Sequence, residues 1–314
     1  MDLIIYYDRE AAGNPYFKYI YESIFERFKK EYPQHNVTLE HPDYSVIGYC
    51  PSCPGGISNL QIINPVNNKT ILMSFWDRGM DPLSKGLGWE KYNIVQYIGG
   101  LGMYKNPEQI KQDYGITQIP FQYPLGVPNS YDYIDELRTP YDPEQKIRKA
   151  VFIGAVYGIR LELEKYFKDH PLIDWYDQNA GLGGRDYFNK LKDYRMSLSL
   201  NGNGEFCLRD LESMGLNIPV FRSDMMTQLH NPLIPDEHYF KCSEACSQAW
   251  FAFNNIGAKD LAEQFISTIE SNIDNYDKLK SVADKGFEYF DKYSRPDYII
   301  DLFFKLVNVD ELNS

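Results

Sequence analysis

Arg209 stands three residues before Glu212 and shortly after the glycines Gly202 and Gly204. These residue types suit a nucleotide. A guanidinium is a planar, permanently charged fork that fits a diphosphate, and a carboxylate accepts hydrogen bonds from ribose hydroxyls. Glycines lack a Cβ, so a turn built from them lets the backbone approach a ligand closely.

Such groups need elements to hold them, and the surrounding pattern predicts a strand over 196–200, a turn of alternating Asn and Gly over 201–204, a helix over 205–214 and a strand over 218–221. A helix opened by a glycine turn directs its free N–H groups and positive dipole end over the strand, where a phosphate is favoured. On that helix Glu205, Arg209 and Glu212 form one face, while Cys207, Leu211 and Met214 form a second at the same spacing. Gly215 reads as the helix stop and Pro219 as a rigid entry to the next strand. A solvated surface helix would show the same charged triad.

A second strand, glycine turn and helix occurs upstream, with a strand over 149–153, a turn over 154–158 and a helix over 159–169. Arg160 in its first turn is placed to reach the pyrophosphate that also meets the Gly204 turn, and Tyr157 to line the site. Both turns belong at the carboxyl ends of parallel strands, the usual ligand edge of such sheets.

The segment containing Gly202, Gly204, Glu212, Gly215 and Pro219 resembles the donor-binding segment of GT-B glycosyltransferases, in which the acidic residue usually holds the ribose of a nucleotide sugar. The pattern Cys207, Arg209, Glu212 is closer to exostosin-like and viral or bacterial polysaccharide enzymes. The best-known retaining families place seven residues between two glutamates; Glu205 and Glu212 have six between them, and inversion is the expectation. The resemblance implies an α/β chain of two Rossmann-like domains facing a cleft. Residues 1–140 would form the acceptor side and 146–294 the donor side, with 295–314 a helix packing back on the first domain. The donor-binding set is then Gly154, Tyr157, Arg160, Asn203, Gly204, Phe206, Arg209 and Glu212. A UDP-sugar is the first expectation for the donor, a GDP-sugar the next, and a glycan or other hydroxyl the acceptor.

Inverting transfer needs a base for the acceptor hydroxyl. Asp77, after the apolar run in LMSFWDRG, is the first candidate; Asp8, in IIYYDRE, is second and His41 third. Each has an ordinary explanation as a turn residue or ion-pair partner. The chain has no compact Asp-x-Asp motif, so no metal and no cofactor are expected. The alternative is a non-catalytic protein that binds a nucleotide or sugar on the same fold. An oxidoreductase ranks lower, because no strand-linked GxGxxG with a following acidic residue occurs near the amino end.

The first part of the chain reads as strands over 3–7, 36–40, 60–63, 70–75, 93–97 and 117–119, with helices over 15–32 and near 107–114. This alternation predicts a mostly parallel sheet. Residues 121–144, rich in proline and tyrosine without a clear period, read as the connection to the second part. That part continues with a strand over 172–176 and helices over 187–194, 260–273, 276–293 and 296–307.

The 314 residues allow two cores, and 43% hydrophobic with 24% charged residues is ordinary globular composition. A net charge of −12 opposes general nucleic-acid binding. Neither a leader nor a membrane span is read in the sequence, and a cytoplasmic address is the expectation, with peripheral membrane association left open. The five cysteines include Cys50 and Cys53 in a CxxC and Cys242 with Cys246; a zinc site is conceivable, but free thiols are the simpler reading. The 26 tyrosines are a mild pointer towards carbohydrate.

Overall fold

The computed structural model describes residues 2–7, 15–40, 59–74, 93–99, 108, 111–112, 115–125, 129–202, 205–225, 228–244 and 257–313. The chain divides into two compact units. One comprises Met1–Pro128, Thr227–Asn231 and Arg295–Ser314; the other comprises Asn129–Met226 and Pro232–Ser294.

The first unit is a six-stranded sheet in the order β2-β1-β3-β4-β5-β6. Its strands are β1 (Asp2–Tyr7), β2 (Asn36–Glu40), β3 (Asn59–Asn64), β4 (Lys69–Ser74), β5 (Asn93–Gly99) and β6 (Thr117–Pro120). The expected strands are present, but the sheet is mixed: β3 runs antiparallel to both β1 and β4, while the remaining pairs are parallel. The reason is the short link between β3 and β4. Four residues cannot make a parallel crossover, which needs a dozen or more. Asn64 and Asn67 instead close a hairpin turn with their side chains, accepting from the N–H groups of Val66 and Lys69 at 3.0 and 2.9 Å.

Helix α1 (Pro15–Glu31) buries Phe17, Ile20, Tyr21, Ile24 and Phe28, a stripe at helical spacing. The last helix of the chain, which buries Ile299, Ile300, Leu302 and Phe303, packs on α1. It spans Pro296–Leu306, and the two helices are tied by Tyr19 to Asp297 at 2.8 Å and Arg27 to Asp301 at 2.5 Å. Side-chain amides of the sheet secure the end of this helix and the segment beyond it: Asn64 and Asn67 both donate to the Leu312 carbonyl, and Gln96 bonds Leu306 and Asn308.

The second unit begins with a helix inside the stretch expected to be a plain connection. This is α2 (Ser130–Leu137), where Tyr131, Ile134 and Leu137 supply a buried stripe at every third position. Its sheet is parallel throughout, in the order β11-β10-β9-β7-β8. The strands are β7 (Ile147–Ile153), β8 (Ile173–Tyr176), β9 (Tyr194–Ser199), β10 (Val220–Ser223) and β11 (Phe240–Ser243), the last having escaped the sequence reading. Helices α3 (Ile159–Phe167) and α6 (Ala258–Asn272) pack together. Helices α4 (Gly184–Lys192), α5 (Leu208–Gly215) and α7 (Tyr276–Tyr293) form a second group with α2. The terminal helix is therefore α8. Ala150, Phe152, Met196, Leu198, Phe221 and Phe240 alternate along four strands and meet Leu163, Phe167 and Phe265 in one core. Among the described residues no helix is long and apolar enough to cross a membrane.

Candidate functional site

The strand order of the second unit sets a switch point between β7 and β9. β7 is followed by its neighbour β8 on one side, and β8 by β9 on the other side of β7. The connections leaving β7 and β9 therefore diverge, and a parallel sheet receives ligands beyond the carboxyl ends of such a strand pair. Gly154 follows β7 there, and Leu200 to Gly202 follow β9.

Arg160, in the first turn of α3, closes the base of this region. Its Nε donates to the carbonyls of Leu200 and Asn201 at 3.2 Å each, its Nη2 to Leu200 at 2.7 Å and its Nη1 to Ala155 at 2.9 Å. The guanidinium also lies 5.1 Å from the Tyr157 ring centroid. These hydrogen bonds hold the two strand ends together. Gly202 serves the same packing. A Cβ at this position would stand 2.7 Å from the Tyr157 hydroxyl and 2.9 Å from Arg160 Nη2, so the open space accommodates the chain's own side chains.

The expected helix over 205–214 starts at Leu208. Ahead of that start, the Glu205 carbonyl accepts from Arg222 Nη2 at 2.6 Å. Asp210 turns back to accept from the Cys207 N–H at 2.8 Å, which caps the helix one turn after Glu205. Glu205 accordingly lies outside α5, and the predicted Glu205, Arg209, Glu212 face does not form. Nor is α5 half solvated: every residue from Arg209 to Gly215 is buried. Phe206 is buried too, with its ring 6.0 Å from the Arg222 guanidinium, beside the buried ion pair.

A helix buried all round must satisfy its charges internally. Asp210 does so with Arg222 at 2.5 Å, both side chains almost wholly inaccessible. Glu212 accepts from the Tyr187 hydroxyl of α4 at 2.6 Å. Arg209 is different. Its Nη2 donates to the Ile153 carbonyl, its guanidinium carbon lies 4.7 Å from the Phe152 ring centroid, and it neighbours the Tyr187 hydroxyl closely enough to act on it as a hydrogen-bond donor, but Nε and Nη1 meet no partner at full hydrogen-bond geometry among the described residues. The arginine is 9% exposed, so the two N–H groups are withdrawn from bulk water as well. Gly154 makes this pose available, since a Cβ there would coincide with Arg209 Nη2. A buried cation with unmatched donors at a strand end is a group whose hydrogen bonding an anion would complete.

Burial pushes the Glu212 carboxyl above the ordinary glutamate range, opposed by the Tyr187 hydrogen bond and the Arg209 charge. Burial, then the Glu212 charge, holds the Tyr187 hydroxyl well above the usual phenol range, with Arg209 acting in the opposite sense. A carboxyl raised in the fold contributes its stability below the ordinary value of 4.5 and loses it as pH rises through the raised value. Glu212→Gln cannot ionise yet keeps an acceptor for Tyr187. It is expected to be more stable than the wild type at pH ~8 and to converge with it in acid, measured by urea denaturation across pH.

The Cys207 thiol is pushed up by burial, which leaves it a poor nucleophile at neutral pH. Cys242 is buried and free, its thiol also raised by burial. Its expected partner Cys246, the Cys50 and Cys53 pair, Asn203, Gly204, Asp77, Asp8 and His41 lie outside the described residues. Three residues of the candidate site are not evident from sequence spacing: Tyr187, Asp210 and Arg222. Arg222 carried the one usable signal, a charge within the apolar strand IPVFRS, since a buried arginine demands a carboxylate nearby.

No protein-family model matches the chain, and no curated protein does. Solved structures similar to it include the pneumococcal O-GlcNAc transferase GtfA in complex with UDP and GlcNAc, at 9% identity and a TM-score of 0.42 over 70% of this chain and 46% of that one. The GtfA/B complex is similar at 12% identity and a TM-score of 0.39, over 71% of this chain and 46% of that one. A glycosyltransferase from Rickettsia africae ESF-5 is similar at 12% identity and a TM-score of 0.42, over 76% of each chain. The chain thus spans about half the length of the first two of these structures (46% of each).

Proposed function

We propose that the chain is a glycosyltransferase that binds a nucleotide sugar at the β7 and β9 strand ends and moves the sugar to a glycan or other hydroxyl acceptor. The observation that carries this reading is Arg209, a buried guanidinium with two unmatched donors at the switch point of a parallel sheet. Those donors match the oxygens of a diphosphate. As the sugar departs, negative charge grows on the diphosphate, and a fixed cation in a dry site stabilises that charge without reorganising.

Glu212, one turn further along α5, is the acceptor for ribose hydroxyls in this reading. Positive charge from Arg209 does the work that a metal would otherwise do, so transfer proceeds without one. UDP is the first choice of nucleotide and GDP the second. Transfer is inverting, with Asp77, or Asp8 after it, taking the acceptor proton.

The test is calorimetric titration of the chain with UDP, GDP, CMP and dTDP, their sugars, and NAD, followed by a transfer assay with the nucleotide that binds. Saturable binding of a nucleoside diphosphate, UDP foremost, and release of its sugar to a hydroxyl acceptor are the expected results. Binding of NAD alone, or of nothing in the panel, overturns the reading. Binding without sugar turnover leaves a non-catalytic nucleotide-binding protein.

A further inference from the structure

Tyr187, on α4, reaches Glu212 of α5 from a different helix. Its hydroxyl donates to Glu212 at 2.6 Å, and both the Glu212 carboxylate and the Arg209 guanidinium act on it electrostatically. The ring is held for this contact: it meets Phe188 edge-on at 5.0 Å, and Phe188 is packed in turn by Tyr133 of α2 at 5.6 Å. Three groups with opposed charge preferences therefore meet, and the phenol is the one that donates a direct hydrogen bond to the carboxylate.

We propose that Tyr187 is a positioning residue of the nucleotide site: its hydroxyl keeps the buried Glu212 carboxylate ionised and aimed, so that Glu212 remains an acceptor for the sugar hydroxyls of the nucleoside. This rests on the nucleotide-binding reading. A carboxylate stripped of water is expelled into its neutral form unless hydrogen bonds favour the charge. Arg209 makes no ion pair with Glu212 within 4 Å, so the direct hydrogen bond to the carboxylate comes from Tyr187. A neutral Glu212 would offer a donor where the nucleoside also presents donors.

The other ionisable groups around α5 are accounted for. Asp210, on the same helix, is paired with Arg222 of β10, although its charge still opposes that of Glu212. Glu136 of α2 pairs with Arg185 of α4, and Asp284 of α7 pairs with Lys280 and accepts from Asn217. β9 presents the uncharged Ser197, bonded to Ser213. Against burial, Tyr187 and then Arg209 favour the Glu212 charge, and Asp210 opposes it more weakly.

The experiment is calorimetric titration of the full chain and of Tyr187→Phe with UDP and, separately, with inorganic pyrophosphate, from pH ~5.5 to ~8. Comparing variant with wild type at each pH cancels the ligands' own titration. The phenylalanine keeps the ring packing and removes only the hydroxyl. UDP is expected to bind about tenfold more weakly to Tyr187→Phe at neutral pH, with the loss deepening as pH falls. Pyrophosphate, which carries no sugar hydroxyl, is expected to bind the two proteins alike. UDP affinity unchanged in size and pH profile overturns the proposal. So does an equal loss for UDP and pyrophosphate, which would mark a merely structural tyrosine. If the wild type binds neither ligand, it is the nucleotide-binding reading that fails, and this proposal with it.

Discussion

Arg209→Ala is expected to weaken binding of a nucleoside diphosphate by about 30- to 150-fold, the roughly 2–3 kcal/mol carried by hydrogen bonds from a charged donor to an anion. The stability of the fold should change by no more than about 1 kcal/mol, because opposing terms meet in this side chain. Truncation removes the bond to the Ile153 carbonyl and the contact with Phe152, but also a buried cation with two unmatched donors. Calorimetry and urea denaturation on the same preparation separate the two quantities. Arg209→Lys should fall between, since an ammonium keeps the charge and loses the planar fork. Wild-type nucleotide affinity in Arg209→Ala would remove the site assignment altogether.

Asp210→Ala carries the largest expected cost to stability, about 3–5 kcal/mol, against a typical total of about 5–15 kcal/mol for a domain. The alanine strands Arg222 in a place where it is 1% exposed, with no counter-charge within reach. Arg222 then also loosens its hold on the Glu205 carbonyl, and with it the bend that starts α5 after Cys207. The double variant Asp210→Leu with Arg222→Met replaces the pair by apolar groups and should recover most of the loss. A double-mutant cycle by urea denaturation measures the coupling. Additive single effects would show that the two charges do not depend on each other.

Much of the frame is legible along the chain, because burial leaves a periodic trace. The stripe of Ile20, Ile24 and Phe28 announces α1, the apolar run ending at Ile153 announces β7, and glycines mark the turns at strand ends. The α/β class comes from that alternation. What the trace does not carry is partnership between segments distant in sequence. Parallel and antiparallel pairing look alike in a single strand, and the mixed sheet of the first unit had to be read from the four-residue link between β3 and β4.

The site divides in the same way. Arg209 and Glu212 were visible as residues of the right chemistry at helical spacing, and Gly154 and Gly202 as places of close approach. Their surroundings were not visible. Spacing assigns a helix face, yet only the packing of α2, α4 and α7 around α5 turned a nominally charged face into a buried one. Once water is excluded, each charge must find an internal partner or wait for a ligand. That condition ties Asp210 to Arg222, Glu212 to Tyr187 and Arg160 to the strand-end carbonyls, and leaves two donors of Arg209 unmatched. The sequence alone determined the elements and the reactive residue types, since these depend on local periodicity and side-chain chemistry. Tertiary structure decided which cation keeps unmatched donors, because that depends on desolvation and on partners up to 56 residues away.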